Sequence, residues 1–534
     1  MSPRVDTPPH LASSAPAASP WLPDQGNGTY RNPVLFADYS DPDAIRVGDD
    51  YWLTSSSFGH VPGLPILHSR DLVNWTLVNH ALPRLAPAEH FSTPRHGQGV
   101  WAPSIRFHQG RYWIFYPDPD FGIHVITATD PREPWSAPVL IKAGKGLIDP
   151  CPYWDADGTG YLIHAWARSR SGIKNRLTLH RLRADNLGVE DAGVVIIDGD
   201  QMPGWNTIEG PKVYRRGSYY YVFAPAGGVT DGYQAVFRAR NLYGPYENRV
   251  VLARGSTAIN GPHQGAWVDT PEGSDWFLHF QEMPAYGRVV HLQPMRWEDD
   301  WPVMGTNIDA NGTGEPVASA PLPRRVGGRP TGPATSDEFE LPPLGRQWQW
   351  QANPQAGWAS LETRPGYLRL AVMPMPEGTS LWSAAPLLLQ KFPAPAFTAT
   401  THVELAPGAA VTAGLVVFGY SYRWIALRRR EGRTRIVLSR CDDAQTGGEE
   451  REEIVLPIDV AQIHLKVSVG SGAACRFAFS HDGIAFTEVG DPFIARSSMW
   501  VGAKVGLFAR SSGPAPSPTA FADFDWFRIA PLSP

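Results

Sequence analysis

Cysteine is scarce in this sequence: its 534 residues include only Cys151, Cys441 and Cys475. The three are far apart, so they form no pair with metal-site spacing and no disulfide framework. An excess of positive charge is also missing, since 47 Lys and Arg residues stand against 52 Asp and Glu residues and the net charge is -5. We therefore expect no nucleic-acid partner and no attraction to anionic membranes. Long apolar runs are missing as well, so no segment is predicted to cross a bilayer.

Aromatic residues, glycine and proline are abundant: the chain has 20 Trp, 18 Tyr, 22 Phe, 52 Gly and 52 Pro. This composition favours many short strands with tight turns over helix bundles, and the length favours two or three domains. The chain begins with a stretch rich in Pro, Ala and Ser that lacks the continuous apolar core of a secretory signal. We expect residues 1–28 to be a disordered tail and the protein to be soluble, either cytoplasmic or exported after removal of a signal.

A short motif, in which a turn precedes an aromatic pair and apolar residues, recurs five times, with a loose match in the third copy. Its aromatic anchors are spaced by roughly 50 to 60 residues, the length of a four-stranded propeller blade with its loops. The anchors are Trp52, Trp113, Tyr161, Tyr220 and Trp276. Because no helical pattern intervenes, the sequence predicts an all-β chain in which residues 29–310 form a five-bladed β-propeller.

The amino-acid composition of the sequence changes at about Asn311. Residues 311–335 are rich in Pro, Gly, Ala and Ser. They are predicted to be a linker, because they have few large apolar side chains to bury. Eight or more short alternating segments follow, again without crossover helices. They predict a β-sandwich over residues 336–534.

Three acidic residues stand at comparable points of three different blades: Asp41, Asp149 and Glu209. Each is followed by Pro or Gly-Pro, and each is costly to bury unless it is paired or used. A single acid of this kind normally caps a strand or turn, which is the interpretation we give to Asp43 and Asp50. Three in register favour convergence in one pocket, as in glycoside cleavage, where one carboxyl group donates a proton and another activates water.

Several longer motifs resemble glycoside hydrolase family 43. They are NPVLFADYSDPDAIRVGDDYWLTSSSF, GVWAPSIRFHQGRYWIFY, LIDPCPYWDADGTGYL, TIEGPKVYRRGSYYYVFAPAGG and YGRVVHLQPMRW, which follow in order over residues 32 to about 305. The tail from about Ser336 resembles the concanavalin-A-like sandwich of the family's β-xylosidase branch. The resemblance covers roughly nine-tenths of the chain.

The resemblance implies a role for each of the three acids. Asp41, in Ser-Asp-Pro where the family has Pro-Asp-Pro, resembles the general base that activates water. Glu209, in Glu-Gly-Pro, resembles the general acid. Asp149, in Ile-Asp-Pro, resembles the acid that orients the general acid and raises its pKa by its negative charge. The family inverts configuration at the anomeric carbon, which requires room for a water between base and acid.

The resemblance also implies residues that bind the sugar. Arg288 resembles the arginine that contacts the sugar in the first subsite, although Tyr286 replaces the family's usual Leu two residues earlier. Trp101 resembles the indole that walls this subsite, and Phe58 is a candidate for the opposite wall; core positions are the alternative for both. His263 resembles a shaft histidine that faces a water cluster or a calcium ion, although a lone histidine is more often an ordinary core residue. A calcium ion would be structural or tune a pKa, since the chemistry needs no metal.

The expected activity is that of an exo-acting, inverting glycosidase that removes terminal pentoses. The expected partner is an oligosaccharide with terminal xylose or arabinose, so the activity is that of a β-1,4-xylosidase, an α-L-arabinofuranosidase or both. The alternatives are an endo-acting arabinanase or xylanase with an open groove, and a non-catalytic carbohydrate-binding protein. The segment Arg510 to Ala520 is a candidate loop to reach over the pocket. The oligomeric state stays open.

Overall fold

The computed structural model describes residues 19–372, 380–511 and 520–532. Within these ranges almost all regular structure is β-strand, and the single α-helix is the four-residue Arg168–Ser171. Short 3-10 segments occur at His90–Ser92, Gly199–Gln201, Leu381–Ser383, Ala444–Thr446 and Ser471–Ala473. No helix in the described ranges has the length and apolar character needed to span a membrane.

The first part of the chain folds into five antiparallel sheets with four sequential strands each, which are the five blades of a propeller. The first blade comprises Asp43–Val47, Asp50–Thr54, Gly63–Ser69 and Thr76–Leu82, and the second comprises Ser104–His108, Arg111–Asp118, Gly122–Ala128 and Val139–Ala143. The third blade comprises Leu147–Trp154, Gly160–Trp166, Arg176–Arg181 and Val194–Asp198, and the fourth comprises Lys212–Arg216, Tyr219–Ala226, Tyr233–Ala239 and Glu247–Leu252. The fifth blade comprises His263–Asp269, Asp275–Met283, Gly287–Glu298 and Trp301–Met304. The first strands of neighbouring blades pack against one another around the central shaft. The predicted five-bladed propeller is confirmed.

The repeated aromatic motif marks the second strand of every blade. Its five anchors lie on these second strands. Three of them, Trp52, Trp113 and Trp276, are at most 8% exposed. A bulky ring at this position fills the space between blades, which explains why the sequence repeats it.

Two segments outside the blades are more ordered than their composition indicates. Residues 1–18 of the predicted tail lie outside the described residues, but Trp21 packs on Phe36 and its indole N–H donates to the Pro33 carbonyl at 2.9 Å. In the predicted linker, Gly314–Glu315 extends the fourth blade's sheet together with Thr306–Asn307, which precedes the linker, and Ser319–Pro321 pairs with Thr29–Arg31. Pairing and packing between distant segments thus order residues in both stretches.

The second part of the chain is a sandwich of two seven-stranded sheets, as predicted. One sheet has the order Gln349–Trp350, Leu388–Lys391, Lys504–Ser511, Val411–Phe418, Tyr422–Arg430, Arg433–Cys441 and Glu450–Ile458; the other has the order Ala359–Ser360, Leu368–Ala371, Phe521–Pro531, Phe397–Leu405, Gln462–Val469, Ala474–Ser480 and Thr487–Ile494. Their inner faces share one apolar core, to which Leu415, Val467 and Phe524 contribute fully buried side chains. Apolar residues at alternating positions along these strands face this core, and Val411–Phe418 is buried on both faces.

The sandwich packs directly on the propeller. Trp350 and Val61 exchange backbone hydrogen bonds of 2.6 and 3.0 Å. The Tyr286 hydroxyl donates to the Pro395 carbonyl and accepts the Ala473 N–H. The Ala503 N–H donates to the Ala285 carbonyl at 2.6 Å. These contacts hold the sandwich loop 497–503 beside the propeller turn that precedes Arg288.

Candidate active site

A cavity of about 250 Å³ lies where the first strands of the propeller begin. Six of the seven predicted site residues line it: Asp41, Phe58, Trp101, Asp149, Glu209 and Arg288. The remainder of the lining is Ala102, Ile148, Thr207, Gly228, Val229, Gln264 and Trp500. Residues that are up to 247 positions apart in the sequence, Asp41 and Arg288, are in direct contact here.

The backbone at the entrance to the first strands adopts an unusual conformation. Asp41 has φ of 54° and Asp149 of 55°, while Thr207 and Gln264 have φ of 51° and 41°. Non-glycine residues rarely occupy this left-handed region, and such strain clusters at functional sites. In the strand of Asp149 the conformation coincides with a register shift between Ile148 and Cys151, and in the strand of Gln264 with one between His263 and Gly265. Four blades thus use the same local kink at a residue that lines the cavity.

Asp41 is surrounded by hydrogen-bond donors. Its Oδ2 accepts the hydroxyls of Ser40 at 2.8 Å and Ser56 at 2.6 Å. Arg288 Nη1 lies 3.1 Å from Oδ1 and 3.3 Å from Oδ2. A buried carboxylate with an arginine and two hydroxyls is fixed in orientation and compensated in charge. Such a group can hold and activate a water molecule.

Among the described residues, Glu209 has no hydroxyl or guanidinium donors like those that bind Asp41. Its side chain lines the cavity and retains 23% exposure. Burial raises the pKa of Glu209, and the negative charges of Asp149 and Asp41 raise it further, while Arg288 opposes them. His263 Nε2 lies 3.4 Å from Oε1. Since burial lowers the pKa of His263 to about 3, the imidazole is neutral and this contact is not an ion pair. The surroundings of Glu209 therefore favour its protonated form.

Asp149 is 4% exposed and accepts the N–H of Gly210 on Oδ2 at 2.8 Å. Gly210 directly follows Glu209, so this bond fixes the backbone that carries the neighbouring acid. Burial raises the pKa of Asp149, and Asp41 adds to the rise, but the Gly210 N–H opposes it. The amide stabilises the ionised form of Asp149, whereas Glu209 has no such contribution to its pKa, so the contacts favour a shared proton on Glu209.

Three aromatic rings enclose the cavity. Phe58 is 2% exposed, and its ring lies 6.3 Å from that of Trp101 in an edge-to-face arrangement. Trp500, from the sandwich, lies 6.0 Å from Trp101 and 5.7 Å from the Arg288 guanidinium carbon. The structure therefore places the predicted Trp101 and Phe58 together and adds a third wall from the other domain. Trp500 is 41% exposed, as a residue at the mouth of a cavity would be.

Trp500, Thr207 and Gln264 are site residues that sequence reasoning missed. Trp500 belongs to the sandwich loop 497–503, whereas the predicted covering segment was Arg510 to Ala520, of which residues 512–519 lie outside the described residues. A single Trp in a loop does not by itself indicate the domain against which the loop packs. For Gln264, the adjacent Gly-Pro-His-Gln-Gly sequence signals a tight turn at a strand entrance, as at the acids.

The sequence predicts that a water cluster or a calcium ion lies near His263 on the shaft. Among residues 19–372, 380–511 and 520–532, no three His, Cys, Asp or Glu side chains are grouped so as to hold a metal. The buried Asp43 on the shaft accepts from Arg106 Nη1 at 2.6 Å and lies 3.9 Å from Lys212 Nζ. The protein's own cations thus lie beside this carboxylate, and a calcium ion near His263 stays a prediction. Asp43 is an ion-paired shaft residue that also accepts the Ile105 N–H at 2.8 Å, at the start of the second blade's first strand.

Comparison with known proteins agrees with this geometry. Residues 30–302 match the family model of glycosyl hydrolases family 43, and residues 336–530 match that of the beta xylosidase C-terminal concanavalin A-like domain. A protein of Xylanibacter ruminicola is 38% identical over 487 residues, which are 90% of this chain and 86% of that protein. The chain is also similar to a beta-xylosidase of Formosa agariphila, at 30% identity over 94% of this chain and 90% of that one. A non-reducing end alpha-L-arabinofuranosidase of Bacteroides ovatus is 27% identical over 93% of this chain and 94% of its own length.

Solved structures show the same architecture. The protein BlXynB of Bacillus licheniformis superposes with a TM-score of 0.79 and 26% identity, covering 94% of this chain and all of that one. A bifunctional protein of Bacteroides eggerthii superposes with a TM-score of 0.81 and 28% identity over 94% of this chain, which spans 64% of the length of that protein. With its propeller, its sandwich and three acids in one cavity, the chain belongs to glycosyl hydrolase family 43.

Proposed function

We propose that this exo-acting glycoside hydrolase is a β-1,4-xylosidase that removes terminal xylose from xylo-oligosaccharides with inversion. The observation that carries the proposal is the cavity in which Asp41, Asp149 and Glu209 meet under an aromatic wall from the sandwich. A cavity closed by Trp500 accepts the end of a chain and favours exo attack over an endo-acting groove. The xylose preference is supported by the similarity to the Formosa agariphila beta-xylosidase.

In the proposed mechanism, Glu209 is the general acid. Its raised pKa keeps it protonated near neutral pH, so that it can donate a proton to the leaving oxygen as the glycosidic bond breaks. Asp149 contributes in two ways: its charge raises the pKa of Glu209, and its bond to the Gly210 N–H orients the segment that carries the acid. Neither role requires Asp149 to touch the sugar.

Asp41 is the proposed general base. Held by Ser40, Ser56 and Arg288, its carboxylate accepts a proton from a water molecule that attacks the anomeric carbon on the face opposite the leaving group. Arg288 reaches the same cavity and can donate to a sugar hydroxyl from the nitrogens that do not bind Asp41. Phe58 and Trp101 offer apolar surfaces against which a pentose ring can stack.

An α-L-arabinofuranosidase activity is the second candidate, supported by the similarity to the Bacteroides ovatus enzyme of that name. A terminal arabinofuranose can present a hydroxyl layout similar to that of xylopyranose. The two activities would use the same acids, so they differ in the fit of the sugar and not in the catalytic groups.

Parallel hydrolysis of p-nitrophenyl β-D-xylopyranoside and α-L-arabinofuranoside tests the proposal. We expect the xyloside to be the better substrate, and ¹H NMR during the first turnovers to show α-xylose, the product of inversion. Asp41→Asn should lower kcat by about 10²-fold or more without unfolding the protein. A folded wild type that cleaves neither glycoside, or that releases β-xylose first, would refute the proposal. Faster cleavage of the arabinoside would favour the second candidate.

A further inference from the structure

Asp38 is a buried acid that the mechanism does not use. It precedes the base Asp41 by three residues and is 3% exposed. One of its oxygens, Oδ1, accepts the backbone N–H of Arg288 at 2.9 Å, and the other, Oδ2, accepts the backbone N–H of Gly502 at 3.1 Å. Arg288 belongs to the propeller and Gly502 to the sandwich. The carboxylate of Asp38 therefore connects the propeller strand that contains Arg288 to the sandwich loop that contains Trp500.

The two backbones that Asp38 joins are in direct contact. A Cβ at Gly287 would lie 2.5 Å from the Gly502 nitrogen and 2.6 Å from the Asp38 carboxyl carbon, and a Cβ at Gly502 would lie 2.5 Å from the Tyr286 carbonyl carbon. Both positions therefore require glycine, and Gly287 also has a φ of 75°. Such close approach leaves little room for the Trp500 loop to move while the Asp38 bonds are made.

Asp38 also compensates charge that the sandwich brings to the interface. Lys391 and Lys504 face each other across two paired strands of the sandwich, and Lys504 is only 3% exposed. Burial lowers the pKa of both lysines, and in each case the negative charge of Asp38 opposes this effect. A like-charged pair opposite each other in a sheet is unfavourable unless an opposite charge is near. The carboxylate thus stabilises the same interdomain contact in a second way.

We propose that Asp38 is a positioning residue that holds the sandwich loop of Trp500 over the catalytic cavity. Trp500 stands two positions before Gly502, so the bond from Asp38 to the Gly502 N–H fixes the loop next to the ring that closes the cavity. Without it, the loop is released and the aromatic wall opposite Trp101 is lost. The inference rests on the proposed function, because Trp500 is taken to contact the substrate.

The variant Asp38→Asn tests the proposal. Asparagine has the same shape as aspartate and keeps one acceptor oxygen. It removes the negative charge, however, and places an NH₂ donor against one of the two backbone N–H groups that Asp38 binds. We expect kcat/KM on the xyloside to fall about tenfold, mainly through KM, with a smaller change in kcat. In the Trp500→Ala background the same change should have almost no further effect on KM. If Asp38→Asn does not fold, Asp38→Glu, which keeps the charge and displaces the carboxylate, should show the same KM increase.

Asp71→Asn is the matched control. Asp71 is likewise a buried acid that accepts two backbone N–H groups, those of Val73 and Asn74, but within the first blade and away from the cavity. It should leave KM unchanged. Wild-type KM in the Asp38 variants, or equal KM losses with and without Trp500, would overturn the inference. An inactive wild type would instead overturn the proposed function, so the two failures are distinguishable.

Discussion

The variant Asp149→Asn isolates the electrostatic part of the mechanism. The asparagine oxygen can still accept the Gly210 N–H, so the orientation of the Glu209 segment is retained while the negative charge is lost. The charge of Asp149 is the largest contribution to the raised pKa of Glu209 after burial. Removing a like charge from a shared cavity should lower the pKa of Glu209 by about one unit, equivalent to about 1.4 kcal/mol.

This lower pKa can be measured in the pH dependence of kcat/KM, which reports the pKa values of the essential acid and base in the free enzyme. Glu209 acts in its protonated form, so activity is present below its pKa and is lost as the pH rises through it. The wild type should therefore have an alkaline limb well above the ordinary glutamate pKa of 4.5. In Asp149→Asn this limb should move to lower pH by about one unit. The assay is hydrolysis of the p-nitrophenyl xyloside between pH 4 and 10, with the stopped reaction read at one alkaline pH.

Two controls accompany this measurement. Asp71→Asn removes a buried carboxylate elsewhere and should leave the alkaline limb in place. Measuring the unfolding of each variant across the pH range distinguishes activity that is lost because Glu209 is deprotonated from activity that is lost because the protein unfolds. An unmoved alkaline limb in a folded Asp149→Asn would refute the reasoning, because the limb would then belong to a group that Asp149 does not influence.

Three further outcomes follow from the contacts around the cavity. Trp500→Ala should raise KM about tenfold, because it removes the sandwich's wall of the cavity; an unchanged KM would place Trp500 outside the binding site. Arg106→Met should lower the free energy of unfolding, measured in urea, by about 3 to 5 kcal/mol, because Asp43 loses its closest cation; a wild-type midpoint would contradict that pairing. Treatment with EDTA should leave kcat/KM unchanged, since the described shaft residues form no calcium cluster, and a loss restored by Ca²⁺ would contradict this.

The sequence predicts the architecture well because repeats and local chemistry determine it. The aromatic anchors recur once per blade, and each lies on a second strand, since the gap between blades needs a large ring at the same place. Asp41 and Asp149 stand before proline and Glu209 before Gly-Pro, so their location at strand entrances is encoded locally. Their meeting in one cavity then follows from the closure of the propeller.

Other features depend on contacts that a local pattern does not contain. Trp500 reaches the cavity only because its domain docks on the Tyr286 turn, through residues more than two hundred positions away. Segments rich in Pro and Gly form strands at Ser319–Pro321 because Thr29–Arg31 supplies a partner. The strand Glu450–Ile458 lies at a sheet edge, where charged residues replace the alternating pattern, so no local pattern predicts it.

The most direct test of the central claim, that Glu209 is the proton donor, compares Glu209→Ala with the wild type on two leaving groups. Xylobiose releases a sugar hydroxyl that needs a proton, whereas a 2,4-dinitrophenyl xyloside releases a phenolate that does not. We predict a loss of kcat/KM of about 10² to 10⁴ on xylobiose, a much smaller loss on the dinitrophenyl substrate, and no alkaline limb in the variant. Equal losses on both substrates, with the protein folded, would contradict the assignment of Glu209 as the acid.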